Sequence, residues 1–217
     1  MIDDVAERLD DVRERIRSAG GTDVTVLAVT KGFGPEAIRA AVAAGCPDIG
    51  ENYAQELLSK RDVLDALGDR VRVHFIGQLQ SNKVRQLVGL VHRFESTDRT
   101  SLIDEIARRA PGSHVLVQVG TAEASGKGGC PPDEVPSLVE HATAAGLVVE
   151  GLMTVGPTEG GPEAARPGFR QVRALVDRLG LEVCSMGMSA DLEVAVAEGS
   201  TEVRLGTALF GDRPPRR

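Results

Sequence analysis

Tryptophan is absent from this 217-residue chain, tyrosine occurs once and phenylalanine five times. A core for a chain of this length must therefore be built from valine, leucine, isoleucine and alanine rather than around aromatic rings. Cysteine is scarce as well. Cys46, Cys130 and Cys184 are odd in number and lack metal-ligand spacing. That excludes a disulfide framework and a zinc motif, and it points to a reducing compartment. Cys46 and Cys184 lie in apolar settings and read as core. Positive charge is in deficit: 25 Lys and Arg stand against 32 Asp and Glu, a net charge of -7. An extended nucleic-acid or anionic-membrane surface is disfavoured, whereas a small anionic ligand needs only a local positive potential. No apolar run reaches spanning length, and the opening Met1-Ile-Asp-Asp is unlike a signal peptide. A cytoplasmic protein is expected, with neither nucleic acid nor membrane as partner.

What is present is a repeated alternation of strand and helix patterns. Ile2, Val5, Leu9, Val12 and Ile16 mark one face of an N-terminal helix that Gly20-Gly21 stops. Eight β-rich runs follow, over 24–29, 48–50, 73–76, 91–94, 115–119, 148–155, 182–186 and 203–205. Between them come helical patterns, among them one carrying Leu57, Leu58, Leu64 and Leu67, one over 81–88, and a stripe of Phe169, Val172, Leu175, Val176 and Leu179. This order predicts an α/β fold: a single-domain (β/α)8 TIM barrel over residues 1–211 with an extra N-terminal helix. An open doubly wound sheet is the alternative. Residues 212–217 read as a frayed tail. Two long polar segments, 120–133 and 156–168, follow strands and so fall on the C-terminal face. They read either as lids or as plain mobile loops.

Barrel enzymes carry their sites where strands end. Lys31 follows the first strand. Partial desolvation there would lower its pKa and free a nucleophilic amine, which can trap an aldehyde; a snorkelling surface lysine is the bland alternative. The last two strand ends supply Met188, Ser189, Gly206 and Thr207, small and hydroxyl residues suited to a phosphate. Ser189 also precedes Leu192-Glu193 and can be read as that helix's N-cap. Arg204 alternates with Val203 and Leu205, so it points into the barrel and must find an acceptor there. A core carboxylate would serve as well as a ligand. Glu51, Asn52 and Tyr53 follow the second strand, and Gln78, Ser81, Asn82 and Lys83 the third. His74 reads first as a satisfied core histidine, and Met153 as packing. Lys127 sits in a glycine-rich run, but its spacing from Gly120 and the glycine that follows exclude a phosphate-loop motif. Gly187 to Asp191 lacks the second glycine of a nucleophile elbow.

Taken together, the stretches Ala28-Val-Thr-Lys31, Asp48-Ile-Gly-Glu-Asn-Tyr53-Ala-Gln-Glu56, His74-Phe-Ile-Gly-Gln-Leu-Gln-Ser-Asn-Lys83, Gly151-Leu-Met153, Ser185-Met-Gly-Met-Ser-Ala-Asp191 and Val203-Arg-Leu-Gly-Thr-Ala-Leu-Phe-Gly211 resemble the pyridoxal phosphate homeostasis protein family. They run in that family's order over nearly the whole chain. The resemblance implies a barrel similar to the N-terminal domain of alanine racemase. It implies that Lys31 forms the internal aldimine with pyridoxal 5′-phosphate, that Ser189, Gly206 and Thr207 hold the phosphate, and that Arg204 faces the pyridine nitrogen. Asn52, Met153 and Met188 would line the cofactor. Gly32-Phe33-Gly34 stands where many relatives carry a further basic residue, so no second-lysine role is carried over.

An arginine opposite the ring nitrogen stays charged and favours an unprotonated pyridine, which weakens the ring as an electron sink. The function expected is intracellular storage, protection and transfer of pyridoxal 5′-phosphate, without efficient catalysis. The partners expected are the cofactor and pyridoxal-phosphate-dependent apoenzymes, and the expected state is a monomer. A weak amino-acid racemase, or another enzyme of this cofactor, is the alternative. A phosphate-binding barrel without a covalent cofactor, such as a sugar-phosphate isomerase, is a third reading.

Overall fold

The computed structural model describes residues 4–121 and 126–213. Eight strands, β1 (Thr25–Val29), β2 (Asp48–Glu51), β3 (Arg72–Phe75), β4 (Arg93–Thr97), β5 (His114–Gln118), β6 (Val148–Met153), β7 (Val183–Ser185) and β8 (Glu202–Leu205), close into a barrel in chain order. Every pairing is parallel. Closure comes from the β1–β8 seam, where Leu27 lies opposite Arg204. This is the expected (β/α)8 barrel, and the seam excludes the open sheet.

Among the described residues ten α-helices surround the strands: α1 (Val5–Ser18), α2 (Pro35–Ala43), α3 (Ala54–Ser59), α4 (Arg61–Leu67), α5 (Val84–Leu87), α6 (Thr100–Arg109), α7 (Val135–Ala144), α8 (Arg166–Leu179), α9 (Leu192–Ala197) and α10 (Thr207–Phe210). The α1 stripe of Val5, Leu9, Val12 and Ile16 is buried as its spacing requires; Ile2 lies outside the described residues. α1 packs on α2, α9 and α10. Because α10 is a single turn, α1 covers the β8–β1 seam in its place. The aliphatic core fills the layer between sheet and helices, with Phe75, Phe94 and Phe169 as its large rings. Cys46, Cys130 and Cys184 are free and buried, and burial pushes each thiol up to about 12.

Three departures from the sequence reading have physical causes. The helix through Leu57 to Leu67 is broken at Lys60, whose ammonium turns inward to Glu51 and Glu56. The fourth strand runs Arg93–Thr97 rather than over 91–94, because Glu95, Ser96 and Thr97 are buried despite their polarity. Ser96 donates to Gly77 O and Thr97 to Leu116 O, so the segment lacks the apolar signal of a buried strand. The pattern over 81–88 resolves into a 3-10 turn at 81–83 followed by α5. Of the two candidate lids, the first contains residues 122–125, outside the described set. Its far end returns to the barrel, where Val119 and Cys130 form an isolated bridge. The second contains a 3-10 turn over Pro162–Ala165 and runs into α8.

Candidate functional site

The C-terminal strand ends gather the predicted residues at one mouth. Lys31 occupies a tight turn after β1 that Gly32 completes with φ +77°, a conformation glycine adopts without strain. The turn is anchored from below. Thr30 Oγ1 donates to Glu51 Oε1 at 2.6 Å, Lys60 Nζ donates to Thr30 O at 2.9 Å, and the Gly32 N–H donates to Glu56 Oε1 at 2.6 Å. Lys60 closes the lattice by donating to Glu51 Oε1 at 2.5 Å and Glu56 Oε1 at 2.8 Å. On the outer side Phe33 packs its ring 5.2 Å from that of Phe210.

The Lys31 side chain is half-buried. Burial, then the charges of Arg213 and Arg204, lower its pKa; Glu51 and Glu56 offset this in part. Arg213, at the end of the described chain, lies against Gly32; residues 214–217 of the expected tail fall outside the described set. Glu51 is fully buried, which raises its pKa against the pull of Lys60. Its Oε2 has no partner among the described residues.

Arg204 points into the barrel, as the alternation required, and is 5% exposed. Its Nη1 donates to Ser185 O at 2.8 Å and Ser185 Oγ at 2.7 Å, and its Nη2 donates to Thr154 O at 2.6 Å. A core carboxylate is therefore not its direct partner. Burial lowers its pKa, with Glu95 the largest opposing charge. Met153, the last residue of β6, pairs in register with Ser185 and is fully buried.

The loops after β7 and β8 meet through Ser189. Its Oγ accepts from Thr207 Oγ1 at 3.2 Å and from the Ala208 N–H at 3.3 Å. The expectation that Ser189 caps the helix beginning at Leu192 is corrected. Asp191 takes the N-cap position of α9, accepting the Met188 N–H at 2.6 Å, while the Ser189 hydroxyl faces α10. Gly206 immediately precedes α10, and Met188 is exposed beside the loop. Across the mouth Asn52 follows β2. Its Oδ1 is buried without a partner among the described residues, and its backbone packs so closely on Gly77 that a Cβ there would collide with it. Asn52 also borders a cavity of about 780 Å³ that includes Tyr53, Gln78, Lys83 and Arg99. That cavity opens on the β2–β4 side of the mouth rather than around Lys31.

The sequence reading named Glu51 as a polar candidate without giving it a partner, and it assigned no role to Lys60, Glu56, Ser185 or the Thr154 carbonyl. The Glu56–Lys60 spacing of four residues was the one legible signal among them. His74 is a satisfied core histidine, held between Asp48 and Glu95.

No helix of the described residues is long and apolar enough to cross a membrane. A family model described as alanine racemase, N-terminal domain, matches residues 2–214. The pyridoxal phosphate homeostasis protein of Aquifex aeolicus is 42% identical over 224 residues, covering 95% of this chain and 97% of its own. That of Pseudomonas aeruginosa is 38% identical over 222 residues, covering 98% and 96%. PipY of Synechococcus elongatus, solved without PLP, superposes with a TM-score of 0.85 at 32% identity, covering 95% of this chain and all of its own. The PLP-bound form gives 0.82 at 33% identity with the same coverage. The lysine decarboxylase of Selenomonas ruminantium, at 18% identity and a TM-score of 0.70, shares the fold alone. The chain belongs to the pyridoxal phosphate homeostasis protein family, whose barrel is that of the alanine racemase N-terminal domain.

Proposed function

We propose that this protein binds pyridoxal 5′-phosphate at the barrel mouth, bonded covalently through Lys31, and holds it for storage, protection and transfer rather than for turnover. The observation that carries the reading is Lys31 itself: a half-buried amine in the turn after β1, its pKa lowered by burial and then by the charges of Arg213 and Arg204. An aldehyde requires such a neutral amine. The rest of the mouth fits the cofactor's other groups. Ser189 and Thr207 present hydroxyls beside the first turn of α10, where a phosphate gains donors. A Cβ at Gly206 would meet only Val29, at ordinary contact distance. Protein packing therefore does not demand a glycine there, whereas close approach of an anion would. Asn52 offers an unpartnered buried acceptor, and Met153 and Met188 supply soft apolar walls.

When bound, the cofactor supplies a reactive aldehyde and an electron-withdrawing ring. Arg204 faces that ring. Its guanidinium is a fixed cation that donates but does not give up a proton, so it favours an unprotonated ring nitrogen. Carbanion chemistry is thereby weakened, which supports a carrier over a racemase. Apoenzymes of the same cofactor are the recipients this reading implies.

Borohydride reduction after incubation with pyridoxal 5′-phosphate, followed by peptide mapping, should place one added mass on Lys31 and none in K31A. Label on another lysine, or none, would overturn the covalent assignment. Loaded protein mixed with an apoenzyme should restore its activity. Rapid α-proton exchange on amino acids, lost in K31A, would favour the racemase instead.

A further inference from the structure

Beneath the mouth the barrel interior is ionic. Arg204 Nη1 lies 2.7 Å from Ser185 Oγ, and Ser185 Oγ lies 3.3 Å from Glu95 Oε2. Glu95 Oε1 lies 2.7 Å from His74 Nδ1, and His74 Nε2 lies 3.0 Å from Asp48 Oδ1. Arg72 then pairs with Asp48 at 2.6 and 2.7 Å, at a cavity of about 310 Å³ on the opposite face from Lys31. Glu95, Ser185 and His74 are buried. This unbroken column spans the barrel and ends under the one cation that faces the proposed ring.

The column has a fixed direction. A guanidinium can only donate, so Ser185 Oγ accepts from Arg204. The hydroxyl's single proton is then free to point at Glu95, which as a carboxylate only accepts. Glu95 stays ionised: burial would raise its pKa, but the His74 hydrogen bond and the Arg93 charge hold it below the usual carboxylate range. Arg204 makes no ion pair among the described residues, and Glu95 is the leading charge that favours its cationic form. A buried cation without a direct counter-ion needs such a remote one.

We infer that Glu95 is a positioning residue for Arg204, acting through the Ser185 hydroxyl to hold the guanidinium in place. The inference rests on the reading above only for what Arg204 faces; the geometry of the column is independent of it.

Two variants test it. Ser185→Ala cuts the link and leaves His74 and Arg93 bonded to Glu95. Glu95→Gln removes the charge. In ligand-free protein, the Arg204 Nη1 hydrogens, identified by their loss in R204K, should exchange with solvent about tenfold faster in S185A, the equivalent of one lost hydrogen bond. In loaded protein, the absorption maximum of the bound cofactor should move in S185A while covalent labelling of Lys31 persists. Unchanged Arg204 exchange in folded S185A would overturn the inference, whether or not the cofactor binds. Wild-type protein that takes up no cofactor would overturn only the functional reading. E95Q should speed the same exchange; the wild-type rate in folded E95Q would leave Ser185 acting without Glu95 and overturn the inference. Glu95→Asp, which keeps the charge but shortens the reach to Ser185 Oγ, serves as the second variant with the same two outcomes.

Discussion

The Lys60 ammonium lies 2.5 Å from Glu51 Oε1, and both side chains are sealed from solvent at 2% and 0% exposure. A buried pair of this kind is weak evidence of net stability, because desolvation opposes the attraction. Breaking it on one side is another matter. Lys60→Met would strand Glu51, whose Oε2 already lacks a partner among the described residues. The expected loss is about 3–5 kcal/mol in denaturant unfolding. The double variant K60M/E51L should recover most of that stability. Because the same lattice anchors Thr30 and Gly32 on either side of Lys31, the double variant should still react poorly at Lys31. Full recovery of both would show that the lattice serves stability alone.

Arg213 and Arg204 both push protons off Lys31, after burial itself. Lys31 should therefore acylate at a lower pH than the exposed lysines. Arg213 is an exposed residue near the chain end, so Arg213→Ala should leave the fold intact and raise the Lys31 pKa. Its pH–rate profile for chemical modification, read by peptide mass, should move toward higher pH. A profile unchanged from wild type would mean that burial and Arg204 set the amine without Arg213.

The parts of the site that could be read from sequence obey alternation or follow strand ends. Arg204 between Val203 and Leu205 had to point inward, and Lys31 had to sit at the mouth. Ser189 shows where such reading fails. Its position suited the cap of α9, yet Asp191 stands at that N-cap position, without a side-chain bond into the helix, and the Ser189 hydroxyl turns to α10. The roles of Glu95 and Ser185 were illegible for a related reason. A polar residue in a short strand reads as solvent-facing, and only barrel closure reveals that the inside of the cylinder is hydrogen-bonded rather than apolar. Lys60 broke a helix that its leucine spacing made continuous, because a long-range ion pair outweighed local periodicity.

His74 binds a carboxylate at each ring nitrogen. Burial works against its charge, but the hydrogen bonds it donates to Asp48 and Glu95 prevail and raise its pKa from 6.5 to about 9. The folded state thus holds a proton there that the unfolded chain releases. The resulting stability is complete below pH 6.5 and is lost as pH rises through about 9. Glu202 acts at lower pH: burial, then the charge of Glu95, raises its pKa from 4.5 to about 7, so the stability it contributes is lost between those values, mostly before the His74 window opens. Denaturant midpoints should fall between pH 6.5 and 9 in wild type, and fall less steeply in His74→Gln. A midpoint flat across that range would show that His74 is neutral in the fold.

Thr207 offers the cleanest test of the phosphate end. Its hydroxyl is exposed and its only hydrogen bond from the side chain among the described residues goes to Ser189, so Thr207→Val removes a hydroxyl without hollowing the core. Affinity for pyridoxal 5′-phosphate should weaken by about 1–2 kcal/mol through one lost hydrogen bond, read by calorimetry. Pyridoxal, which has the aldehyde and ring but no phosphate, should bind wild type and T207V alike. An equal loss for both ligands would mean that Thr207 shapes the mouth in general, and that the anion is held elsewhere.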